Sequence, residues 1–435
     1  MLFTSTRNNE LSVKFSQAVR QCIPDDGGVF IPSSIEDLRR WIYYINEETT
    51  FCSIAGTLTS AFIQDEFSPI ICETIATDAF PFEPKVRQLD DKLFIMELYH
   101  GHTGLQKDFG VSYLVSYLES TAYLNGGSAV FLDFTHGGLG ALLARALRGK
   151  HNVKAVVVYQ KGTVAGISDE DFAWNGGNIY PVEMEGSEEE IKAEISKVFA
   201  DKDFVARYGI TVSNTTNVCR LLGQIFLFPY SFAQIKNKVC SDIYYACDGG
   251  NYGTIMAGLY SWRFALPVSG FFVPATAALG TNFSGSPVVL DSFVNLKDRN
   301  SANPVVPANL ERLESFFSNN SLMMKHFVYP VKIDASDEET AAKELFTKYG
   351  VYADKETARA YASVKQSNQN IFEEEGCVVL TAYNHPSFQS DYCKYMLGEA
   401  PDMPDNIKES LIKVDLHKPY AKTYEDLMNI IKELK

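Results

Sequence analysis

The sequence predicts an α/β protein whose sheets are mostly parallel. From residue 92 onward, short apolar runs of strand length alternate with longer runs of helical periodicity, as they do in βαβ units. Residues 36–90 have mainly helical patterns instead. The chain of 435 residues is long enough for two or three domains with sizeable cores.

Each element follows from its hydrophobic period. Compact apolar runs predict strands at 29–31, 93–98, 128–134, 153–159, 179–183, 242–247, 270–275 and 377–382. Apolar residues three or four positions apart predict helices at 15–22, 35–45, 51–62, 140–148, 188–199, 217–232, 252–262, 341–349 and 356–369, with more helices up to residue 435. Residues 276–310 are rich in Gly, Ser, Asn and Pro, which predicts a long loop of functional importance.

The composition and net charge limit the kinds of molecule that we expect the protein to bind. The formal net charge is −15 and no basic run occurs, which argues against nucleic acid and membrane surfaces as main partners. We find neither a signal peptide nor an apolar run long enough to span a membrane. Eight cysteines without a C-x-x-C pair predict a reduced, cytoplasmic protein. We expect a small anionic substrate held in a locally positive pocket, and a monomer or homodimer.

The first candidate site is a lysine that follows a strand and a tight turn. Strand 93–98 leads into the turn His100–Gly104, and Lys107 then begins a helix beside Asp108. Burial disfavours the charged ammonium, so a lysine at the edge of a buried cleft can become a nucleophile or form a Schiff base. The alternative is an ordinary lysine at a helix start, paired with Asp108.

The second candidate is the glycine-rich turn at residues 248–254. It lies between strand 242–247 and a helix, and it contains Gly249, Gly250 and Gly253. Glycines let backbone N–H groups approach an anion, and the helix N-terminus adds its dipole. The turn therefore suits a phosphate, although glycine content alone is equally consistent with a plain strand-to-helix turn.

The third candidate lies at a predicted helix start around Asn214, Thr215 and Arg220. Asn and Thr are good N-cap residues, and the fork of an arginine can bond two phosphate oxygens. The alternative is a capped helix with a surface arginine. Two further histidines, His100 and His102, are two positions apart and raise a metal hypothesis, but the sequence indicates no third ligand nearby and we expect no metal.

A fourth stretch follows strand 128–134 and reads Thr135-His136-Gly137-Gly138-Leu139-Gly140. Its backbone N–H groups could bind a carboxylate. A dinucleotide site is not indicated, because the third glycine of that fingerprint is missing. A fifth stretch ends strand 377–382, where Thr381 is followed by Tyr383-Asn384-His385-Pro386.

Taken in order, these stretches resemble the motifs of the threonine synthase family. The lysine segment resembles E-L-F-H-G-P-T-x-x-F-K-D-F-G, with nine positions matching. The glycine turn resembles S/T-G-N-F-G-[ND], and residues 213–224 resemble S-x-N-S-I-N-x-x-R-L-L-x-Q. The stretch after strand 377–382 resembles G-T-A-H-P-A-K-F with altered spacing. The N-terminal segment around Thr6-Arg7 and Asp26-Gly27-Gly28 is also similar.

The resemblance implies the fold type II architecture of enzymes that use pyridoxal 5′-phosphate (PLP), which is tryptophan synthase β-like. Two open α/β domains with parallel sheets would enclose the cofactor, and an N-terminal helical extension would precede them. We place the extension at 1–90, the smaller domain with the carboxylate loop at 91–235 and the larger domain with the PLP-phosphate loop at 236–435. These segments are allowed to interleave.

The resemblance also implies a reaction and a role for each motif. The reaction would convert O-phosphohomoserine and water to L-threonine and phosphate. Lys107 would carry PLP and move protons. The implied cofactor-binding residues are Lys107, Gly249, Gly250, Asn251, Tyr252 and Gly253, with Thr381 at the pyridine nitrogen. The implied substrate-binding residues are Asn214, Thr215 and Arg220 for the phosphate, and Thr135, His136, Gly137 and Gly138 for the α-carboxylate.

The carboxylate loop departs from the family pattern T-S-G-D-T-G. His136 replaces serine, Gly138 replaces aspartate and Leu139 replaces threonine. We expect His136 to compensate in part for the lost groups. The departure leaves three functions open: a threonine synthase, a related PLP enzyme acting on another phosphorylated or anionic amino acid, and a homologue without catalytic activity.

Overall fold

The computed structural model describes residues 1–34, 36–63, 66–239, 242–289, 294–318, 320–367, 376–417 and 419–434. In chain order, the strands are β1 Leu2–Ser5, β2 Val13–Lys14, β3 Phe30–Pro32, β4 Lys85–Gln88, β5 Leu93–Glu97, β6 Ala129–Thr135, β7 Val153–Gln160, β8 Ile179–Met184, β9 Ile210–Thr211, β10 Ile243–Ala246, β11 Gly270–Pro274, β12 Leu279–Thr281, β13 Pro287–Val289, β14 Val328–Val331 and β15 Cys377–Ala382.

The α-helices in the same ranges are α1 Phe15–Gln21, α2 Arg39–Tyr44, α3 Phe51–Ile63, α4 Pro69–Ala79, α5 Lys107–Asn125, α6 Gly138–Leu147, α7 Glu188–Ala200, α8 Lys202–Tyr208, α9 Val218–Leu222, α10 Leu227–Ile235, α11 Gly253–Arg263, α12 Asn309–Phe316, α13 Ser321–Met324, α14 Ala335–Tyr349, α15 Lys355–Lys365, α16 Ser390–Leu397, α17 Asp405–Ser410 and α18 Tyr424–Glu433.

The larger sheet has the strand order β14-β11-β10-β15-β5-β4. All of its pairs are parallel except the edge pair of β4 with β5. Strands β5 and β15 are buried along their whole length, as expected for inner parallel strands covered on both faces. The carboxyl ends of β5, β10 and β15 therefore meet at one edge, where ligands bind in open α/β sheets.

The smaller sheet has the order β8-β7-β6-β9, and its pairs are parallel. Helix α7 covers this sheet and starts with a capping box, in which Ser187 and Glu190 satisfy each other's backbone N–H groups. Helix α18 packs against α7, with Leu427 and Ile431 in the same apolar cluster as the sheet. The predicted α/β class with parallel sheets is confirmed.

The sheets take strands from distant parts of the chain. The larger sheet uses β4 and β5 as well as strands between residues 243 and 382, while α18 returns to the smaller sheet. The larger sheet thus combines strands from the predicted segments 1–90, 91–235 and 236–435, whose bounds as domains stay a prediction.

Several predicted elements need correction. The N-terminal region also holds the antiparallel sheet β2-β1-β3. The predicted helix 217–232 is interrupted after α9, and the predicted loop 276–310 contains the antiparallel hairpin β12–β13 and the start of α12. The predicted helix 341–349 begins at residue 335, where Asp334 caps it. Position 35 of helix 35–45 and positions 368–369 of helix 356–369 lie outside the described residues.

Two further observations concern a stretch of membrane-spanning length and the cysteines. Among the described residues, one stretch, Val218–Ile235, has the length and composition to cross a membrane, but 89% of it is buried in the molecule. It packs as a core segment, and the apolar side chains of α9 and α10 belong to the main apolar cluster. None of the seven cysteines described forms a disulfide.

Candidate active site

A cavity of about 260 Å³ opens at the carboxyl ends of strands from both sheets. Segments that follow β5, β9, β10 and β15 contribute to its wall. The lining residues are Gln106, Lys107, Val111, Leu139, Ser213, Asn214, Thr215, Arg220, Gln224, Asp248, Gly249, Gly250, Asn251, Tyr252, Gly253, Thr254, Pro307, Glu356, Tyr383 and Asn384. Three predicted motifs, far apart in sequence, thus share one cavity.

Lys107 is the first residue of α5 and lines the cavity. The exposed surface of its side chain is the surface that lines the cavity. The protein around the cavity still removes much of the water from the amine. Burial lowers the pKa of Lys107 from its ordinary value, and the positive charge of Arg220 lowers it further. A lysine with a lowered pKa holds more of the neutral amine at neutral pH, which is the form that attacks a carbonyl group.

Asp108 does not pair with Lys107. Its carboxylate accepts the Thr103 N–H (2.9 Å), the Thr103 hydroxyl (2.8 Å) and the Leu105 N–H (3.3 Å). Burial is the main cause that raises the pKa of Asp108 to about 6. The aspartate therefore fixes the turn before the helix, and the alternative of a lysine–aspartate pair at the helix start does not hold.

The glycine turn joins β10 to α11. Gly250 has φ of +32° and Tyr252 has φ of +61°, so the backbone coils tightly before the helix begins. The Asn251 side chain accepts the Gly253 N–H at 3.0 Å, and the Tyr252 hydroxyl bonds to the Thr276 hydroxyl. A Cβ atom at Gly253 would lie 2.9 Å from Asn251 Oδ1. This arrangement suits an anion bound by main-chain N–H groups.

Arg220 lies in α9 and lines the same cavity, with 4% of its surface exposed. Among the described residues, its Nε and Nη1 atoms have no hydrogen-bond partner. Burial is the main cause that lowers its pKa to about 10, although nearby Asp108 and Asp133 oppose this effect. Buried donors without partners are costly, and this positive group lines a cavity in which an anion would be favoured. Arg220 is not the surface arginine of the alternative interpretation.

Asn214 and Thr215 are held by segments that the sequence analysis missed. Asn214 Nδ2 donates to the Pro304 carbonyl at 2.8 Å, and Asn309 Nδ2 donates to the Thr215 hydroxyl at 2.7 Å. Arg312 is fully buried and donates to the carbonyls of Thr215 and Thr216 at 2.7 and 2.9 Å. The only sequence signal for this support was the irregular stretch 276–310 that precedes it.

The predicted carboxylate loop is only partly at the cavity. Thr135, His136, Gly137 and Gly138 are not among the lining residues, while Leu139 is. The Thr135 hydroxyl accepts the Gly137 N–H at 2.9 Å. His136 bonds to Glu188 at 2.7 Å, and 61% of its side chain is exposed. The carboxylate of Glu188 thus holds His136 at the surface, away from the role that we predicted for it.

Thr381 also differs from its predicted placement. Its hydroxyl is buried and donates to the Ala246 carbonyl at 2.5 Å, so its single proton is already used. Thr381 is not a lining residue, whereas Tyr383 and Asn384 are. These two are the residues by which the spacing departs from the T-A-H-P pattern, and an insertion at a strand end was the available signal.

The two histidines of the metal hypothesis have separate partners. His100 bonds to Glu97 at 2.8 Å, and the His102 ring packs on Phe82 with centroids 5.0 Å apart. Within the described ranges, no group of three or more His, Cys, Asp or Glu side chains could hold a metal ion.

Comparison with known proteins gives one consistent result. A family model described as threonine synthase N terminus matches residues 2–80. The threonine synthase of Escherichia coli (strain K12) is 28% identical over 442 residues, which cover 98% of this chain and 99% of that protein. That of Haemophilus influenzae is 27% identical over 407 residues, which cover 92% of each chain.

Solved structures agree with the sequence matches. The PLP-bound threonine synthase from Brucella melitensis has a TM-score of 0.81 at 16% identity, and covers 100% of this chain and 99% of its own. Threonine synthase from Escherichia coli has a TM-score of 0.78 at 23% identity, with full coverage of both chains.

The sheet order and the likeness to these structures define the fold as that of the fold type II PLP enzymes, which confirms the predicted architecture. Within that class, the chain is related to the threonine synthases over nearly its whole length. The predicted resemblance to this family is therefore confirmed.

Proposed function

We propose that the protein is a PLP-dependent lyase that converts O-phosphohomoserine and water to L-threonine and phosphate. The observation that carries this proposal is a single cavity lined by Lys107, the 249–253 turn and the buried guanidinium of Arg220. Relatives that match nearly end to end are threonine synthases. Two anion sites around one amine suit a phosphorylated cofactor and a phosphorylated substrate.

The residues present fit PLP. Lys107 would hold it covalently, and main-chain N–H groups of the 249–253 turn would hold its phosphate without a cation once the Gly253 N–H leaves the Asn251 side chain. When bound, PLP supplies an electron sink for negative charge at the substrate Cα. We expected Thr381 at the pyridine nitrogen. Because its hydroxyl already donates its proton to the Ala246 carbonyl, it could only accept a hydrogen bond there.

The chain's own groups account for the other parts of the reaction. The amine of Lys107, once free, has a lowered pKa, which suits proton transfer at Cα and Cβ. Arg220 would bind the substrate phosphate through the guanidinium that lines the cavity. Asn214 and Thr215 would line the same phosphate site, held in position by the segment 304–312.

The substrate α-carboxylate has a site at the start of α6. The N–H groups of Gly140 and Ala141 bond to the Gly137 carbonyl, while those of Gly138 and Leu139 lie in the first turn, where an anion is favoured. Backbone donors would replace the hydroxyls that the loop lacks. His136 has no part in this site because Glu188 holds it at the surface.

A second candidate is a related PLP enzyme that acts on another phosphorylated or anionic amino acid. The observation that favours it is the apolar Leu139 at the cavity, where the family pattern has threonine. The deciding experiment measures phosphate release from O-phosphohomoserine by the PLP-loaded protein. Release of phosphate with formation of threonine supports the first candidate. A lysine-bound cofactor that turns over another phosphorylated or anionic amino acid supports the second, and one that turns over neither supports a homologue without catalytic activity.

We also propose a cytoplasmic location and a monomeric or homodimeric state. The absence of a basic run in the sequence supports small molecules, rather than nucleic acid, as partners. Analytical ultracentrifugation of the PLP-loaded protein tests the oligomeric state, and a trimer or larger species would contradict it.

A further inference from the structure

Asp133 is a buried carboxylate that none of the five motifs includes. It lies in β6, two residues before Thr135, with 5% of its surface exposed. Its carboxylate accepts the N–H of Ser213 at 2.9 and 3.2 Å. Ser213 lines the cavity immediately before Asn214. Asp133 therefore anchors the segment that carries the proposed phosphate ligands to the neighbouring strand.

Two cations of the proposed reaction act on Asp133. The charges of Lys107 and Arg220 both act on Asp133 and oppose the effect of burial, which is the main cause that raises its pKa to about 6. At pH 7.5 the carboxylate is mostly ionised. Asp108 also acts on Arg220, and more strongly than Asp133 does, whereas Asp133 is the carboxylate among the charges that act on Lys107.

The position of this carboxylate differs from the family pattern. In T-S-G-D-T-G the aspartate lies within the loop after the strand, and this chain has Gly138 there. Asp133 lies inside the strand instead and reaches Ser213 rather than the loop. The chain thus keeps an acidic side chain close to the site but directs it to the phosphate-binding segment.

We propose that Asp133 is a positioning residue of the site: it fixes the Ser213–Thr215 segment and its negative charge balances Lys107 and Arg220. The proposal rests on the proposed function, because it needs a phosphate or a similar dianion at Arg220. With Asp133 ionised, the cavity binds a dianion less tightly than it would if Asp133 were uncharged. Such a balance favours release of the phosphate product.

The test uses the PLP-loaded protein with sulfate as the probe, because the charge of sulfate is constant between pH 5 and 8. Asp133→Asn keeps an oxygen that can accept the Ser213 N–H but removes the charge. We expect sulfate to bind at least about threefold more tightly to this variant at pH 7.5. Asp133→Ala loses the acceptor as well, and we expect its sulfate affinity to fall below that of Asp133→Asn.

A second readout is the visible absorption of the lysine-bound cofactor. The charged groups that act on Lys107 are Arg220, Asp133 and Lys192, and Asp133 alone among them stabilises a positive charge there. Asp133→Asn should therefore lower the pH at which this band titrates by at least about half a unit. Asp171→Asn, at a buried carboxylate that does not line the cavity, is the matched control and should leave both readouts unchanged.

The wild-type protein gives an independent measurement should the variants not fold. Its sulfate affinity should rise as the pH falls from 8 to 5, because Asp133, together with Asp108 and Asp248, has a pKa raised by burial and protonation of these carboxylates reduces the repulsion. Unchanged sulfate affinity and unchanged band titration in Asp133→Asn would overturn the proposal, as would a flat pH profile in the wild type. Failure of the proposed function gives a different result, since the PLP-loaded wild type would then release no phosphate from O-phosphohomoserine, whatever the outcome of the sulfate and band measurements.

Discussion

At the scale of single residues, the site depends on ionisable groups placed where water is scarce. Lys107 is the central case, because burial lowers the pKa of its amine. Borohydride reduction of the PLP-loaded protein followed by peptide mapping should place the pyridoxyl group on Lys107. Lys107→Ala should lack the visible band and lose at least about 10²-fold in activity, the lower range for positioned acid–base groups. Label on another lysine would contradict this assignment.

Arg220 tests the substrate phosphate site. Arg220→Lys keeps the charge but loses the planar fork, so we expect kcat/KM for O-phosphohomoserine to fall roughly 10- to 100-fold, the cost of a charged hydrogen bond. The cofactor band should stay intact, because the 249–253 turn holds the PLP phosphate. Native kinetics in this variant would refute the role of Arg220, and loss of the band would place Arg220 at the cofactor instead.

Asp354 tests the effect of burial on stability. It caps α15 by accepting the Thr357 N–H at 2.8 Å, and burial, followed by the charge of Glu356, raises its pKa to about 7. Because the folded pKa exceeds the ordinary 3.8, the folded state binds this proton more tightly. The contribution of Asp354 to stability is therefore present at low pH and is lost as the pH rises from about 4 to about 7.

Asp354→Asn should remove this dependence while keeping an acceptor for the cap. We expect the free energy of unfolding of the variant, relative to wild type, to increase by at least about 1 kcal/mol between pH 4 and pH 8. Urea unfolding at the two pH values measures it. The control is Asp91→Asn, at an exposed position, and a variant curve parallel to the wild type at both pH values would contradict the expectation.

At the scale of elements, the turn between β10 and α11 has little room for an added side chain. Gly253→Val would place a Cβ 2.9 Å from Asn251 Oδ1 and 3.3 Å from Thr215 Cγ2, so the turn must shift. We expect PLP affinity to fall at least about tenfold while the fold persists, as measured by cofactor titration and circular dichroism. Gly285→Val, in a strained turn outside the cavity lining, should leave PLP affinity unchanged.

Helix α12 supports the substrate-binding segment through Arg312. The guanidinium bonds to Phe30, Thr215, Thr216 and Asn309, so its removal leaves several buried carbonyl groups without donors. We expect Arg312→Leu to lower the free energy of unfolding by roughly 3 kcal/mol or more. Arg263→Leu, at an exposed arginine, is the control, and an equal loss in both variants would show that Arg312 has no special role.

The sequence predicted the elements whose pattern is local. Strands such as β7 and β15 are mainly apolar runs bounded by polar turns, and helix α7 has its cap and period in one short window. Strand β4 was not predicted, because its four residues are mostly exposed and pair only along one edge. The hairpin β12–β13 was not predicted, because its strands have only three residues each.

The site residues also fall into two groups, those that local sequence predicts and those that it does not. Lys107 and the 249–253 turn were predictable because their roles depend on neighbours in sequence. Three other features depend on contacts with residues more than 50 positions away in sequence. They are the hydrogen bonds from Arg312, the surface position of His136 and the hydrogen bond that the Thr381 hydroxyl donates. A motif specifies which residue types are present, but partners brought by the fold decide which hydrogen-bonding groups remain available.

At the scale of the whole molecule, the cavity lies between the two sheets, so a bound cofactor links them. Ligand that binds only the folded state stabilises it by mass action, roughly 2.7 kcal/mol at a free concentration 100 times Kd. Thermal unfolding of the wild type should therefore shift upward with added PLP. Lys107→Ala should show a smaller shift at the same PLP concentration, and equal shifts would argue against the covalent link.

The interleaved chain has a consequence for biosynthesis. Strand β5 pairs with β15, almost 300 positions further along, and α18 covers a sheet whose strands end at residue 211. While the polypeptide emerges from the ribosome, the larger sheet cannot be completed before β15 is made, and the smaller sheet lacks the cover of α18 until that helix is made. Premature termination would thus leave no stable half-enzyme, and such products should depend on chaperones and be cleared by proteases rather than accumulate.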